Sequence, residues 1–200
     1  TLLVLMAIVG RMAFRLFDKE IAGFACLALG FSPLMLAQFQ PLRIDHHAWQ
    51  IVIVLFAIGA LMHRNPRVGG MLAGLGVATG LSVSLEVLPF ATAIAGVLLL
   101  RWLRNPEGRW WLSSYLSSLA GGLAVLFAAT RGFGNLTEYC DVISPAHIVF
   151  FALVALAAAV IAARPQLKPA AIIGLLGVAG AIALGVFALR GLYFAIMQEG

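Results

Sequence analysis

Apolar residues run along this chain in long stretches broken by short polar punctuation, without the ~10-residue alternating segments of a membrane barrel. Stretches of roughly 20 apolar residues have the length needed to cross ~30 Å of hydrocarbon as a helix. The pattern predicts spans over 21–39, 48–62, 110–129, 147–163 and 169–189, with a short one over 1–13. The 48–62 span is short unless 44–47 extend it. The 68–100 stretch is too long for one helix and holds Ser82, Ser84, Glu86 and Pro89, so it is read as two helices turning near 84–89. The expected fold is all-α, a polytopic transmembrane helical bundle. No long polar linker divides it, so residues 1–200 read as a single transmembrane domain, with no soluble domain. A start at Thr1 and an end just after an apolar run read as a fragment of a longer chain.

Composition supports a membrane setting. The chain is 62% hydrophobic and 10% charged, against about 25% charged in soluble domains. Lipid must therefore be the solvent for much of its surface. A formal charge of +5 raises the question of nucleic acid, but the basic residues fall in short loops between apolar spans, which is a topology signal. Arg11, Arg15, Lys19, Arg64, Arg67, Arg101, Arg104, Arg109, Arg164 and Lys168 fall on one side; Arg43, Arg131 and Arg190 fall on the other. The positive-inside rule makes the first side cytoplasmic, and the alternation works only if 68–100 is two helices. Arg64-Asn65-Pro66 and Arg104-Asn105-Pro106 read as tight cytoplasmic turns. Gly69, Gly70, Gly74, Gly76 and Gly80, and again Gly174, Gly177, Gly180 and Gly185, are expected to pack helices closely. Trp102, Trp110 and Trp111 are expected at the interfacial belt. Cys26 and Cys140 make neither a CxxC motif nor a disulfide framework.

This topology puts Asp45, His46, His47, Glu86, Glu138, Asp141 and His147 on the non-cytoplasmic face. Asp45-His46-His47 offers a carboxylate and two imidazoles, donors that suit Mn²⁺, Mg²⁺ and Zn²⁺ to different degrees. Residues i and i+2 point the same way only in extended backbone, which Gln40-Pro41 would favour. Alternatively Asp45 caps the next helix, accepting backbone N–H bonds, and the histidines are interfacial. The palmitoyltransferase DHHC motif is excluded, because Ala48 stands where its cysteine would be. Glu86, a carboxylate near the membrane end of two helices, is either functional or a turn residue meeting headgroup water. The longest external loop, 130–147, carries Glu138, Asp141, Ser144 and His147, and long loops on rigid scaffolds often carry function.

Gln40-Pro41-Leu42-Arg43-Ile44-Asp45-His46-His47, leading straight into a span, resembles the second external acidic motif of oligosaccharyltransferase catalytic subunits, which are GT-C membrane glycosyltransferases. The stretches Ser82-Val83-Ser84-Leu85-Glu86-Val87-Leu88-Pro89 and Asp141-Val142-Ile143-Ser144-Pro145 resemble, more weakly, the later helix turn and flexible acidic loop of that superfamily. The resemblance covers about 31–151 and implies a GT-C-like bundle. It implies Asp45 and His47 as ligands of a divalent metal, Mn or Mg. It further implies Asp45, Glu86 and Asp141 as the catalytic group, with Arg43 and His46 contacting substrate. The implied activity is transfer of a sugar from a polyprenyl-phosphate-linked donor at the non-cytoplasmic face of a bacterial cytoplasmic membrane. The partners would be that donor and membrane lipid, with no nucleic acid. The family's first external acidic motif and its Trp-Trp-Asp motif are not found in these residues; Trp110-Trp111 is followed by Leu112. Two other readings stand beside the enzyme: an accessory subunit packing on partner membrane subunits, and a transporter with Glu86 in an ion path. A transporter would be expected to carry an internal repeat, and none is seen.

Overall fold

The structure, a computed structural model, describes residues 1–40, 46–132, 143–164 and 166–198, from residue 190 onward as backbone alone. The described residues form nine α-helices: α1 (Leu2–Leu16), α2 (Lys19–Phe31), α3 (Pro33–Gln38), α4 (His47–Ala60), α5 (Pro66–Val83), α6 (Leu88–Arg104), α7 (Arg109–Thr130), α8 (Pro145–Ala162) and α9 (Pro169–Gln198). No strand occurs among them. Four helical stretches are long and apolar enough to cross a membrane: Leu85–Arg104, Pro106–Thr130, Pro145–Ala162 and Pro169–Leu189. Large apolar side chains such as Phe24, Phe31, Val125 and Leu156 are exposed, as a lipid-facing surface requires. The described residues are thus all-helical, and the four apolar helices mark a membrane protein.

Polar punctuation sets the helix ends. Asn65 and Asn105 each precede a proline, which needs no N–H partner at the first helical position. The Asn65 side-chain oxygen accepts from the Arg67 N–H at 2.9 Å, and that of Asn105 from the Glu107 N–H at 3.0 Å. Both expected Asn-Pro turns are therefore built alike. The 68–100 stretch divides as expected, through a single 3-10 turn at Leu85–Val87. The 21–39 stretch is not one helix. It breaks at Ser32, whose extended backbone and hydroxyl cap α3 while Pro33 takes its first position.

The core is organised by α5 and α7. Gly70, Gly74 and Ala78 on α5 meet Ser114, Ser118 and Gly122 on α7 in ascending order, so the helices run parallel. Both rows are small residues at i, i+4, i+8, the spacing that lets two backbones approach closely. A Cβ at Gly70 would lie 2.6 Å from the Trp111 carbonyl oxygen, and one at Gly122 would lie 2.9 Å from the Ala78 methyl. Tyr115, fully buried, donates its hydroxyl to the Ala91 carbonyl at 3.0 Å and ties α7 to α6. The expectation for the second glycine group fails: Gly174, Gly177, Gly180 and Gly185 on α9 have no neighbour within 4 Å of an added Cβ among the described residues. The tryptophan expectation also changes. Trp102 and Trp111 are buried in the core, and for Trp111 the glycine-lined α5 leaves room for the large ring, with Gly69 directly against it.

Contacts order the two ends of the bundle. At one end the Arg15 guanidinium approaches the Met62 carbonyl at 3.5 Å. There too, Arg67 lies over Trp110 at 4.2 Å and Arg101 over Trp111 at 4.6 Å. The expected gathering of basic residues at one end is present in these contacts. The opposite end carries the start of α4 and the α5–α6 turn. Thr130, Arg131 and Ile143, which flank the long loop, lie beside Ser82 at that same end.

Candidate metal centre

The packing around Gly80 brings the α5–α6 turn onto α4. A Cβ at Gly80 would lie 3.1 Å from Ile53 Cγ2 of α4 and 3.1 Å from Val87 Cγ1 of the turn. With no side chain at Gly80, both branched residues close over the α5 backbone, and Val87 becomes buried. The Ser84 hydroxyl accepts from the Glu86 N–H at 3.3 Å and opens the 3-10 turn. Glu86 is thereby held beside the first turn of α4.

Three side chains at the start of α4 meet it there, His46 from the capping position just ahead of the helix. His46 and His47 place Nε2 atoms 3.6 Å from Glu86 Oε2, one distance for each ring. Gln50, one turn further on, donates its amide to the same oxygen at 3.0 Å. Helical spacing explains the convergence, since Gln50 stands at i+4 from His46 and i+3 from His47. The two imidazoles stack, with centroids 4.5 Å apart and planes at 23°. The positive end of the α4 dipole favours a carboxylate at this place. The side chains of both histidines and of Glu86 are about half exposed, at 45% and 59%.

His46, His47 and Glu86 form a group whose candidate ligand atoms all lie within 4.8 Å of one another. Two ligands on one tetrahedral ion, at bond lengths of about 2.1 Å, stand about 3.4 Å apart. Both His–Glu distances, at 3.6 Å, are close to that value. Two imidazoles and one carboxylate make a donor set suited to zinc, iron and manganese more than to magnesium, which prefers oxygen ligands. Gln50 occupies an outer position, orienting the carboxylate as second-layer partners do in metal sites.

Of the residues singled out from sequence, the structure brings His46, His47 and Glu86 together. Asp45, Arg43 and Asp141 lie outside the described residues, as do Glu138 and Cys140. His147 takes a different role. Its Nδ1 accepts from the Ser144 N–H at 3.3 Å and lies 2.8 Å from the Ser144 hydroxyl, closing a cap on α8, and its ring edge packs on Phe187. Gln50 was not expected. Its signal was available: one amide inside an otherwise apolar helix, on the face that continues from the two histidines. No family model matches the chain, and no curated protein or solved structure matches it significantly.

Proposed function

We propose that this protein is a metal-assisted membrane transferase of GT-C type, moving a sugar from a polyprenyl-phosphate-linked donor at the end of the bundle that carries His46, His47 and Glu86. The observation that supports this reading is the meeting of two imidazoles and a carboxylate, 39 and 40 residues apart in sequence, at the membrane end of apolar helices. His47 and Glu86 hold the cation, with Asp45 just ahead of the two histidines in sequence. His46, expected to touch substrate, joins the ligand set. When bound, the metal neutralises charge on the departing phosphate. Arg43 offers a forked donor to the phosphate, and Asp141 orients the acceptor. The bond from the anomeric carbon to the phosphate oxygen breaks as the bond to the acceptor forms. The basic end is cytoplasmic in this reading and the metal end external, in a bacterial inner membrane.

The test is transfer of labelled sugar from a short-chain polyprenyl-phosphate donor by the full chain in detergent. Activity should need a divalent cation, vanish with chelator and fall by orders of magnitude in Glu86→Gln. Transfer that survives both chelation and Glu86→Gln contradicts the proposal. A second reading, an accessory subunit, draws support from α9, where the small-residue row of Gly174, Gly177 and Gly180 meets nothing among the described residues. A chain that crosslinks through α9 to a partner in membranes and lacks transfer activity would favour it.

A further inference from the structure

At the basic end, away from His46 and His47, a cavity of about 200 Å³ opens between α1, α4 and α5. Its apolar wall includes Ile8, Met12 and Phe56, and its polar lining includes Arg11, Arg15 and His63. Arg11 and Arg15 stand at i and i+4, so both guanidiniums lie on one face of α1. Arg11 and Arg15 are the only charged residues of this helix, LLVLMAIVGRMAFRL, and both line the cleft. Among the described residues neither arginine has a carboxylate partner. Asp18, the acid nearest in sequence to Arg15, spends its carboxylate oxygen on the Glu20 and Ile21 N–H groups at 2.8 and 2.9 Å. Arg15 is anchored instead to the Met62 carbonyl, at 3.5 Å.

We infer that this cleft binds an anionic membrane phospholipid, its phosphate held by Arg11 and Arg15 and the start of an acyl chain lying along Ile8, Met12 and Phe56. The guanidinium fork matches phosphate oxygens. The apolar wall has no use for a free anion but suits a lipid tail. Basic pockets between helices at the positively charged end of membrane proteins are where such headgroups bind. This site is separate from the proposed metal centre and does not depend on it.

The experiment is native mass spectrometry of the full chain released from nanodiscs of equal phosphatidylglycerol and phosphatidylcholine. Wild type should retain phosphatidylglycerol selectively. Arg11→Gln with Arg15→Gln should retain it on the order of thirtyfold less, from two cations near the headgroup plane. Arg64→Gln with Arg104→Gln removes the same charge from the same end outside the cleft and should leave retention unchanged. Gly59→Leu fills the cleft without altering charge, since a Cβ there already lies 3.4 Å from Met12 Sδ. It should also release the lipid, and it carries the test if the double arginine variant does not fold. Equal loss in both double charge variants would make the effect bulk electrostatics and overturn the proposal. Full displacement of the lipid by inorganic phosphate would also overturn it, assigning the site to a free anion. So would undiminished retention in Gly59→Leu.

Discussion

Replacing Gly80 with valine attacks the contact that seats Glu86. A Cβ there would stand 3.1 Å from Ile53 Cγ2 and 3.1 Å from Val87 Cγ1. Carbon atoms rest at about 3.5–4.0 Å, so the Cβ alone demands about 0.4–0.9 Å of retreat, and the two valine methyls demand more. Overpacking of this kind costs about 1–3 kcal/mol. Relief comes most easily by moving the turn, because α4 and α5 are whole helices and Leu85–Val87 is three residues. Val87 is bonded to Glu86, so the carboxylate moves with it. Loosening a ligand's support typically lowers metal affinity about 10- to 100-fold. The assay pairs a thermal midpoint in detergent with a Mn²⁺ or Zn²⁺ titration. The control is Gly96→Val, where an added Cβ meets nothing within 4 Å among the described residues. Gly80→Val should lower both midpoint and affinity, and Gly96→Val should spare the affinity. Wild-type affinity in a destabilised Gly80→Val would refute the idea that this packing positions Glu86.

Two further outcomes follow from the same geometry. Gln50→Leu should keep the fold and weaken metal binding about 10- to 100-fold, as loss of an outer-layer partner does, whereas Gln50→Asn with its shorter reach should fall between; unchanged affinity in both, by competition with a chelating dye, removes Gln50 from the site. Cysteines at Arg64→Cys and Asp141→Cys, in a background freed of Cys26 and Cys140, should label from opposite faces with a membrane-impermeant thiol reagent, and labelling from one face would break the topology.

The sequence carried the bundle more fully than the site. Ser84 and Pro89 announced the turn inside 68–100 because a hydroxyl cap and a proline interrupt a helix by local chemistry. The same kind of signal stands at Ser32-Pro33, but an apolar run on both sides hides a bend from a reading by hydropathy. Glycine content alone could not separate α5 from α9. Gly70 and Gly74 are closed by α7, while Gly174 and Gly177 meet nothing among the described residues, a difference set by partners. Placing His47 and Glu86 at one end needed only a count of spans. Their contact needed Ile53 and Val87 meeting over Gly80, a tertiary fact that no local pattern contains. Gln50 was hidden for the same reason: its role exists only once Glu86 is beside it.

The central claim is that His46, His47 and Glu86 hold one divalent cation. Pulsed electron paramagnetic resonance of Mn²⁺ on the full chain tests it directly, because imidazole nitrogens couple to the bound ion. Wild type should give one tight site with two imidazole nitrogens. His46→Gln and His47→Gln should each remove one coupling, and Glu86→Gln should weaken the site while both couplings persist at saturating metal. A Mn²⁺ spectrum without imidazole nitrogen, or one unchanged in all three variants, would contradict the account.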